Sequence, residues 1–242
     1  MPEAMKFTTP LVRGTLIKRY KRFLTDVTLE DGEVITASCP NTGSMMGLKD
    51  PGNRVWLSTS DNPKRKYRHT WEMVEVTKDG QKTIVGLNTG RPNAIVSEAI
   101  RSGEIAELAG YANLRNEVKY GANSRIDILL EDDDRPACYV EVKNVTLLRK
   151  KGVAEFPDGV TARGAKHLKE MSEMVRQGHR ATMFYLAQRA DAEQLTFASD
   201  IDPAYLEAYK EARKAGVEAI AYACTLSEDG IILDRTIPIL VD

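Results

Sequence analysis

One stretch, SRIDILLEDDDRPACYVEVKN, constrains the fold more than any other part of the chain. Two apolar runs flank EDDDRPA, a charged turn, and both alternate in the same phase. Folding the segment back about Asp134 sets Ile126 opposite Val142, Ile128 opposite Val140 and Leu129 opposite Tyr139. Asp127 then faces Glu141, and Arg125 faces Lys143. A slip of one residue would send every side chain to the other face, so the pattern predicts an antiparallel hairpin in this register.

Residues opposed in this way have Cβ atoms about 5 Å apart, and like charges there destabilise the pair. Asp127 and Glu141 therefore need a positive partner. A divalent cation, Mg²⁺ or Mn²⁺, is one answer, because these ions take carboxylate oxygens. Lys143 lies two residues beyond Glu141 on the same strand face and would orient or help deprotonate a metal-bound water. A metal that also clamps a phosphate oxygen makes a phosphodiester hydrolysis site. The other answer is an ion network, in which Arg125 reaches Glu141 and Lys143 reaches Asp127.

Upstream, residues 11 to about 85 are short alternating runs with Asp31-Gly32 and Asp79-Gly80 at turn positions. About five strands in such a length predict a small closed barrel, with an SH3-like barrel as the nearest alternative. The turn-rich GLNTGRPN ends it and divides the chain into residues 1–85 and 86–242. Helical spacing begins at Asn93, and three strand-like runs follow. TARGAKHLKEMSEMVRQGH then carries Leu168, Met171, Met174 and Val175 on one face. ATMFYLAQ reads as a buried strand, PAYLEAYKEARKAG as a helix between Pro203 and Gly216, and VEAIAYACTL as a strand. GIILDRTIPIL completes the set as an edge strand. The second part reads α-β-β-β-α-β-α-β, giving a two-domain α+β chain.

The 242 residues suit one large or two small domains. No apolar run approaches the roughly 20 residues of a membrane helix. MPEAMKFTTP lacks a signal-peptide core, so a cytoplasmic location without a membrane partner is expected. The net charge is −1, with residues 1–80 at +3 and residues 81–242 at −4. Any surface for a polyanion must therefore be local. Cys39, Cys138 and Cys224 are too scattered for a disulfide framework or zinc site.

Two local basic and aromatic clusters stand in the barrel: Lys18, Arg19, Tyr20, Lys21, Arg22, and Lys64, Arg65, Lys66, Tyr67, Arg68. Cations for phosphates and rings for bases are what a barrel binding single strands needs. The second cluster also reads as a solvated loop; Phe23 and Trp71 read as core. Asn41-Thr42-Gly43-Ser44 fits either a phosphate cradle or a tight barrel corner, and Met45 and Met46 fill the barrel. In the second part, Arg163, Lys166 and His167 share one helix face. That face would contact a phosphate or be an ordinary exposed surface. Glu117 is placed near the carboxylates without a catalytic role.

An Asp, thirteen residues, then Glu-x-Lys on adjacent strands after a helix resembles the PD-(D/E)-x-K nuclease core. Ile126 stands where the nominal motif has Pro. The resemblance implies a catalytic set of Glu98 (or Glu104) from the helix, Asp127, Glu141 and Lys143, with the metal on Asp127 and Glu141. Longer strings, among them GTLIKRYKRFLTDV, CPNTGSMMGL, SDNPKRKYRHTWE and FPDGVTARGAKHL, are similar to the sugar fermentation stimulation protein family over essentially the whole chain. That implies an OB-like barrel joined to a restriction-endonuclease-like domain, DNA as the partner and a link to maltose metabolism. The family is also credited with a C-terminal helix-turn-helix, where this sequence reads as a strand. A metal-dependent nuclease, a non-catalytic DNA-binding regulator and an RNA-binding or RNA-processing factor all remain open, as does a homodimer.

Overall fold

A computed structural model describes residues 5–121 and 124–241; the first four residues of the N-terminal segment read above lie outside them. Before the barrel comes β1 (Met5–Lys6). The barrel strands are β2 (Val12–Tyr20), β3 (Leu24–Leu29), β4 (Val34–Ser38), β5 (Arg54–Thr59), β6 (His69–Lys78) and β7 (Gln81–Gly86). After the joint come α1 (Pro92–Arg101), β8 (Asn113–Tyr120), β9 (Ser124–Glu131), β10 (Cys138–Val145), β11 (Leu147–Lys150) and β12 (Val153–Phe156). They are followed by α2 (Ala162–Arg176), β13 (Arg180–Ala187), β14 (Gln194–Phe197), α3 (Pro203–Lys214), β15 (Glu218–Leu226) and β16 (Gly230–Thr236).

Alternation along β2 to β6 turns Leu16, Val27, Val55, Leu57, Trp71 and Val74 into one core. The strand order is β4-β3-β2-β5-β6, and a parallel pairing of β4 with β6 at Ser38 and Thr70 closes it. This is the five-stranded OB arrangement, with β7 added beside β6. Gly14 sits where strands crowd: a Cβ there would lie 2.4 Å from Val27 Cγ1 and 2.8 Å from the Thr28 carbonyl. Two side chains differ from expectation. Phe23 is 54% exposed, because the chain reverses through Lys21 and Arg22 in left-handed conformations and leaves it outside the alternation. Met45 is in the barrel core, but Met46 is 42% exposed.

The second domain is a mixed sheet in the order β1-β16-β15-β13-β10-β9-β8, with β10, β13 and β15 parallel. Because side chains alternate, Ile128, Val140 and Phe184 pack on α1, while Met183 and Tyr185 pack on α2 and α3. Both long helices have side-chain caps. Thr161 accepts from the Gly164 amide at 3.1 Å, and Asp202 from the Tyr205 amide at 3.0 Å. Asp202 also accepts from the Thr161 amide at 2.7 Å, which ties the two helix starts together.

The hairpin register holds where β9 and β10 pair: Leu130 with Cys138, Leu129 with Tyr139, Ile128 with Val140. The run from Cys138 to Leu148 is not one strand. It breaks at Thr146, and β11 joins β12 and β14 in a small second sheet that the alternation did not reveal. VEAIAYACTL forms β15, parallel to β13, so no helix-turn-helix occupies it. All three cysteines are free and buried. Among the described residues no helix is long and apolar enough to cross a membrane.

The two domains share material. β1 pairs with β16, so Met5 and Lys6 lie on the C-terminal sheet before the chain enters the barrel. Trp56 and Met73 of the barrel belong to the same apolar cluster as Val96 and Phe184. Arg13 holds Glu228 through two bonds of 2.7 and 2.6 Å, and the Trp56 indole donates to Glu228 at 2.9 Å. Buried Glu72 in β6 accepts from Asn88 and Arg91 of the joint at 2.7 to 3.0 Å.

Candidate functional site

Where β9 and β10 stop pairing they part, and the gap opens into a cleft of about 480 Å³ between the domains. The larger domain contributes Asn93, Glu117, Asp127, Glu141, Lys143, Asp158 and Arg163; the barrel side contributes Asn41, Thr42, Gly43 and Thr89. Asp127 and Glu141 thus line one cleft. Asp127 reaches past the ladder to accept from the Val142 amide at 2.7 Å and from Asn93 at 2.9 Å.

Glu141 is 3% exposed. Its Oε1 accepts from Lys143 Nζ at 2.6 Å and is 2.5 Å from His167 Nδ1. Its Oε2 is buried with no hydrogen-bond partner. Burial pushes the Glu141 carboxyl up, but the His167 bond and the Lys143 charge outweigh it and hold it below the usual value. Asp127 goes the other way: burial and then the neighbouring Glu141 charge push it up to about 6. Two adjacent carboxylates thus differ in how readily they hold a proton, a pattern common at functional sites.

An acceptor left without a donor inside a protein is costly unless something satisfies it. Glu141 Oε2 beside Asp127 therefore fits a cation. Among the described residues no three His, Cys, Asp or Glu side chains gather into a ready metal centre. Mg²⁺ does not require one, since it is commonly held by one or two carboxylates with water and phosphate oxygens completing its shell.

The other expected residues fall into three groups. Glu98 and Glu104 lie outside the cleft; Glu98 borders a separate depression with Ser97 and Arg101. The helix instead presents Asn93 from its first turn, 2.9 Å from Asp127 and 3.3 Å from Glu117. Glu117 stands at the mouth with φ of 55°, a conformation strained for a residue with a Cβ. His167 is buried on Glu141 and offers no surface to a phosphate. Arg163 lines the cleft and donates to His167 Nε2 at 3.2 Å, while Lys166 points at Glu170 from the exposed side.

Of the barrel clusters, Arg19 and Arg22 are committed to backbone. Arg19 donates to the carbonyls of Asn41 and Gly43, and Arg22 to that of Thr42. Thr89 holds the Pro40 carbonyl, and the Met45 amide donates to Asp158 at 3.0 Å. The 41–45 loop is thereby pinned from both domains as the lip of the cleft. Lys18 pairs with Asp26 at 3.7 Å, the Tyr20 hydroxyl donates to Asp26, and Lys21 is exposed. Lys64, Arg65, Lys66 and Arg68 stand exposed on the β5–β6 loop, with Lys66 over the half-buried Tyr67 ring. Asn93, Thr89 and Asp158 escaped the sequence reading. Only Asn93, a polar residue opening a helix beside the hairpin, left a signal there.

Comparison with known proteins agrees with both domains. A family model described as the SfsA N-terminal OB domain matches residues 17–87, and one described as the sugar fermentation stimulation protein RE domain matches residues 90–230. A sugar fermentation stimulation protein homolog of Maricaulis maris (strain MCS10) is 54% identical over 96% of this chain and 97% of its own. One from Brucella melitensis biotype 1 is 56% identical over 97% of each. The solved structure of Pyrococcus furiosus SfsA, in complex with Ca²⁺, superposes with a TM-score of 0.87 at 25% identity, covering 99% of both chains. The chain belongs to the sugar fermentation stimulation protein family.

Proposed function

We propose that this chain binds nucleic acid, DNA in the first place, and hydrolyses phosphodiester bonds with a divalent cation at Asp127 and Glu141. The observation that carries this reading is the buried, partnerless Oε2 of Glu141 beside Asp127 and within one cleft with Lys143. The Ca²⁺ complex of the Pyrococcus relative supports a divalent ion in this fold. A cation held there, Mg²⁺ or Mn²⁺, supplies a Lewis acid and acidifies a bound water. The protein's own part is positional. Asp127 is aimed by Val142 and Asn93, Glu141 by Lys143 and His167. Lys143 brings a positive charge to where phosphate charge develops. Arg163, at the cleft wall, serves the same phosphate. Lys21 and the 64–68 loop provide the salt-sensitive contacts with neighbouring phosphates.

A second reading, a DNA-binding regulator without catalysis, is favoured by one observation: the Glu141 charge already has a cationic partner in Lys143 at 2.6 Å, with His167 on the same oxygen. Titration of Mg²⁺ and Mn²⁺ by calorimetry, wild type against Asp127→Ala, separates the two when joined to cleavage assays on single-stranded, duplex and branched DNA and on RNA. Binding lost in the variant, together with metal-dependent cutting, establishes the nuclease and shows its substrate. No metal binding and unchanged nucleic-acid affinity leaves the regulator. A preference for RNA over the same DNA sequence moves the assignment to RNA processing, since only RNA offers a 2′-hydroxyl. The connection with sugar metabolism rests on the family name alone.

A further inference from the structure

Arg163, His167 and Glu141 form a relay running from the cleft wall into the interior. Arg163 Nε, which can only donate, meets His167 Nε2 at 3.2 Å. Nε2 must therefore accept, and the ring proton sits on Nδ1, which faces Glu141 Oε1 at 2.5 Å. The ring is 3% exposed, so no solvent competes for either nitrogen. Lys143 supplies a second donor to the same oxygen at 2.6 Å. Two donors converge on Oε1, and none reaches Oε2.

We propose that His167 is a positioning residue for the cation. Held by Arg163 in the Nδ1–H tautomer, it engages Oε1 of Glu141 and turns Oε2 toward the metal position as the open acceptor. The inference rests on the proposed metal reading and adds to it a residue from α2 that itself touches no metal. Outer-shell donors of this kind fix ligand orientation, and their loss commonly weakens metal binding. A purely structural histidine would instead leave metal affinity untouched once the protein is folded.

The test is made on the full chain with Mn²⁺ as probe, read by calorimetry, with thermal melting as the check on folding. His167→Leu is expected to weaken Mn²⁺ binding by about 10- to 100-fold, and His167→Asn, whose amide nitrogen overlays Nδ1, to restore it to within about threefold. His167→Gln places its donor one bond further out and should not rescue. If His167→Leu does not fold, the contrast between Asn and Gln decides the matter. Nitrogen NMR of the metal-free wild type should show the proton on Nδ1, and Arg163→Met should mix the two tautomers. Equal Mn²⁺ affinity in folded His167→Leu, equal rescue by Asn and Gln, or an Nε2–H tautomer in the wild type overturns the proposal while leaving the metal reading intact. A wild type that binds no divalent ion overturns both.

Discussion

The Asp127 carboxylate takes the amide hydrogen of Val142 at 2.7 Å, so a β9 side chain caps β10 where their ladder ends. That bond and the one from Asn93 favour the ionised form, yet burial and the Glu141 charge prevail and hold the group at about 6 against an ordinary 3.8. Between about pH 4 and pH 6 the native protein therefore keeps a proton that the unfolded chain has released. Metal-free stability attributable to Asp127 is complete below about pH 4 and falls as the pH rises to about 6. Removing the charge with Asp127→Asn should abolish that slope. At pH 7 the variant gains at most about 3 kcal/mol over wild type, less whatever its amide loses against Val142 and Asn93. Urea melts between pH 4 and 7 measure this, and a wild-type–variant difference independent of pH rejects it.

The same proton competes with a cation. Mn²⁺ affinity should rise up to about tenfold per pH unit below pH 6 and level off above it. Titration calorimetry in two buffers of different ionisation heat counts the proton released. Affinity that is flat from pH 5 to 7 would show that Asp127 is no ligand.

Glu72 is buried at the joint between the domains and has Arg91 as its cationic partner at 2.7 Å. Arg91→Met leaves a buried carboxylate with neutral donors alone, and should cost about 3 kcal/mol or more. The double variant Arg91→Met/Glu72→Gln should recover most of that loss. Denaturant midpoints test it; a double variant no more stable than the single one means that Arg91 acts through packing alone.

The two basic clusters should separate in a salt titration. Replacing Lys64, Lys66 and Arg68 with alanine should lower the slope of log affinity against log salt by about 1 per residue. Arg19→Met and Arg22→Met should leave that slope nearly unchanged. They should instead speed hydrogen exchange at Gly43 and Met45, whose loop they hold. Equal slope losses from both sets would refute the division.

Gly14→Ala should destabilise the barrel, because a new Cβ meets the Thr28 carbonyl, which is backbone and cannot rotate away. A loss of about 1 to 3 kcal/mol is expected, read as a lower thermal midpoint. An unchanged midpoint would mean that β2 and β3 separate cheaply.

The hairpin register, a small closed barrel and the α-β-β-β-α-β order were legible because alternation with one buried face leaves few solutions; that the barrel is of the OB kind came from the family resemblance. That Asp127, Glu141 and Lys143 converge on one cleft was legible for the same reason, since strand period 2 fixes which face each occupies. The helix contribution was not. Glu98 matches a motif in chain order, but which turn of α1 meets the hairpin depends on packing, and packing brings Asn93 there. His167 was read as a surface cation because i, i+3, i+4 spacing names a face without saying what covers it. Arg19 and Arg22 were read as phosphate ligands because no local pattern shows that a loop 20 residues away will present its carbonyls to them. Phe23 failed for a backbone reason, the left-handed turn that precedes it.

The pairing of β1 with β16 has a mechanical consequence. The barrel is anchored to the larger sheet by two covalent crossings, one through residues 7–11 and one through residues 87–91, instead of hanging from a single linker. A body held at two points, with Trp56 and Met73 buried in the apolar cluster of the larger domain, cannot swivel about either crossing alone. The cleft, whose lip is barrel and whose floor is sheet, therefore depends on both crossings for its shape. Excising residues 88–241 as a separate domain would remove the lip and an edge strand together, and would leave the carboxylates in an open trough.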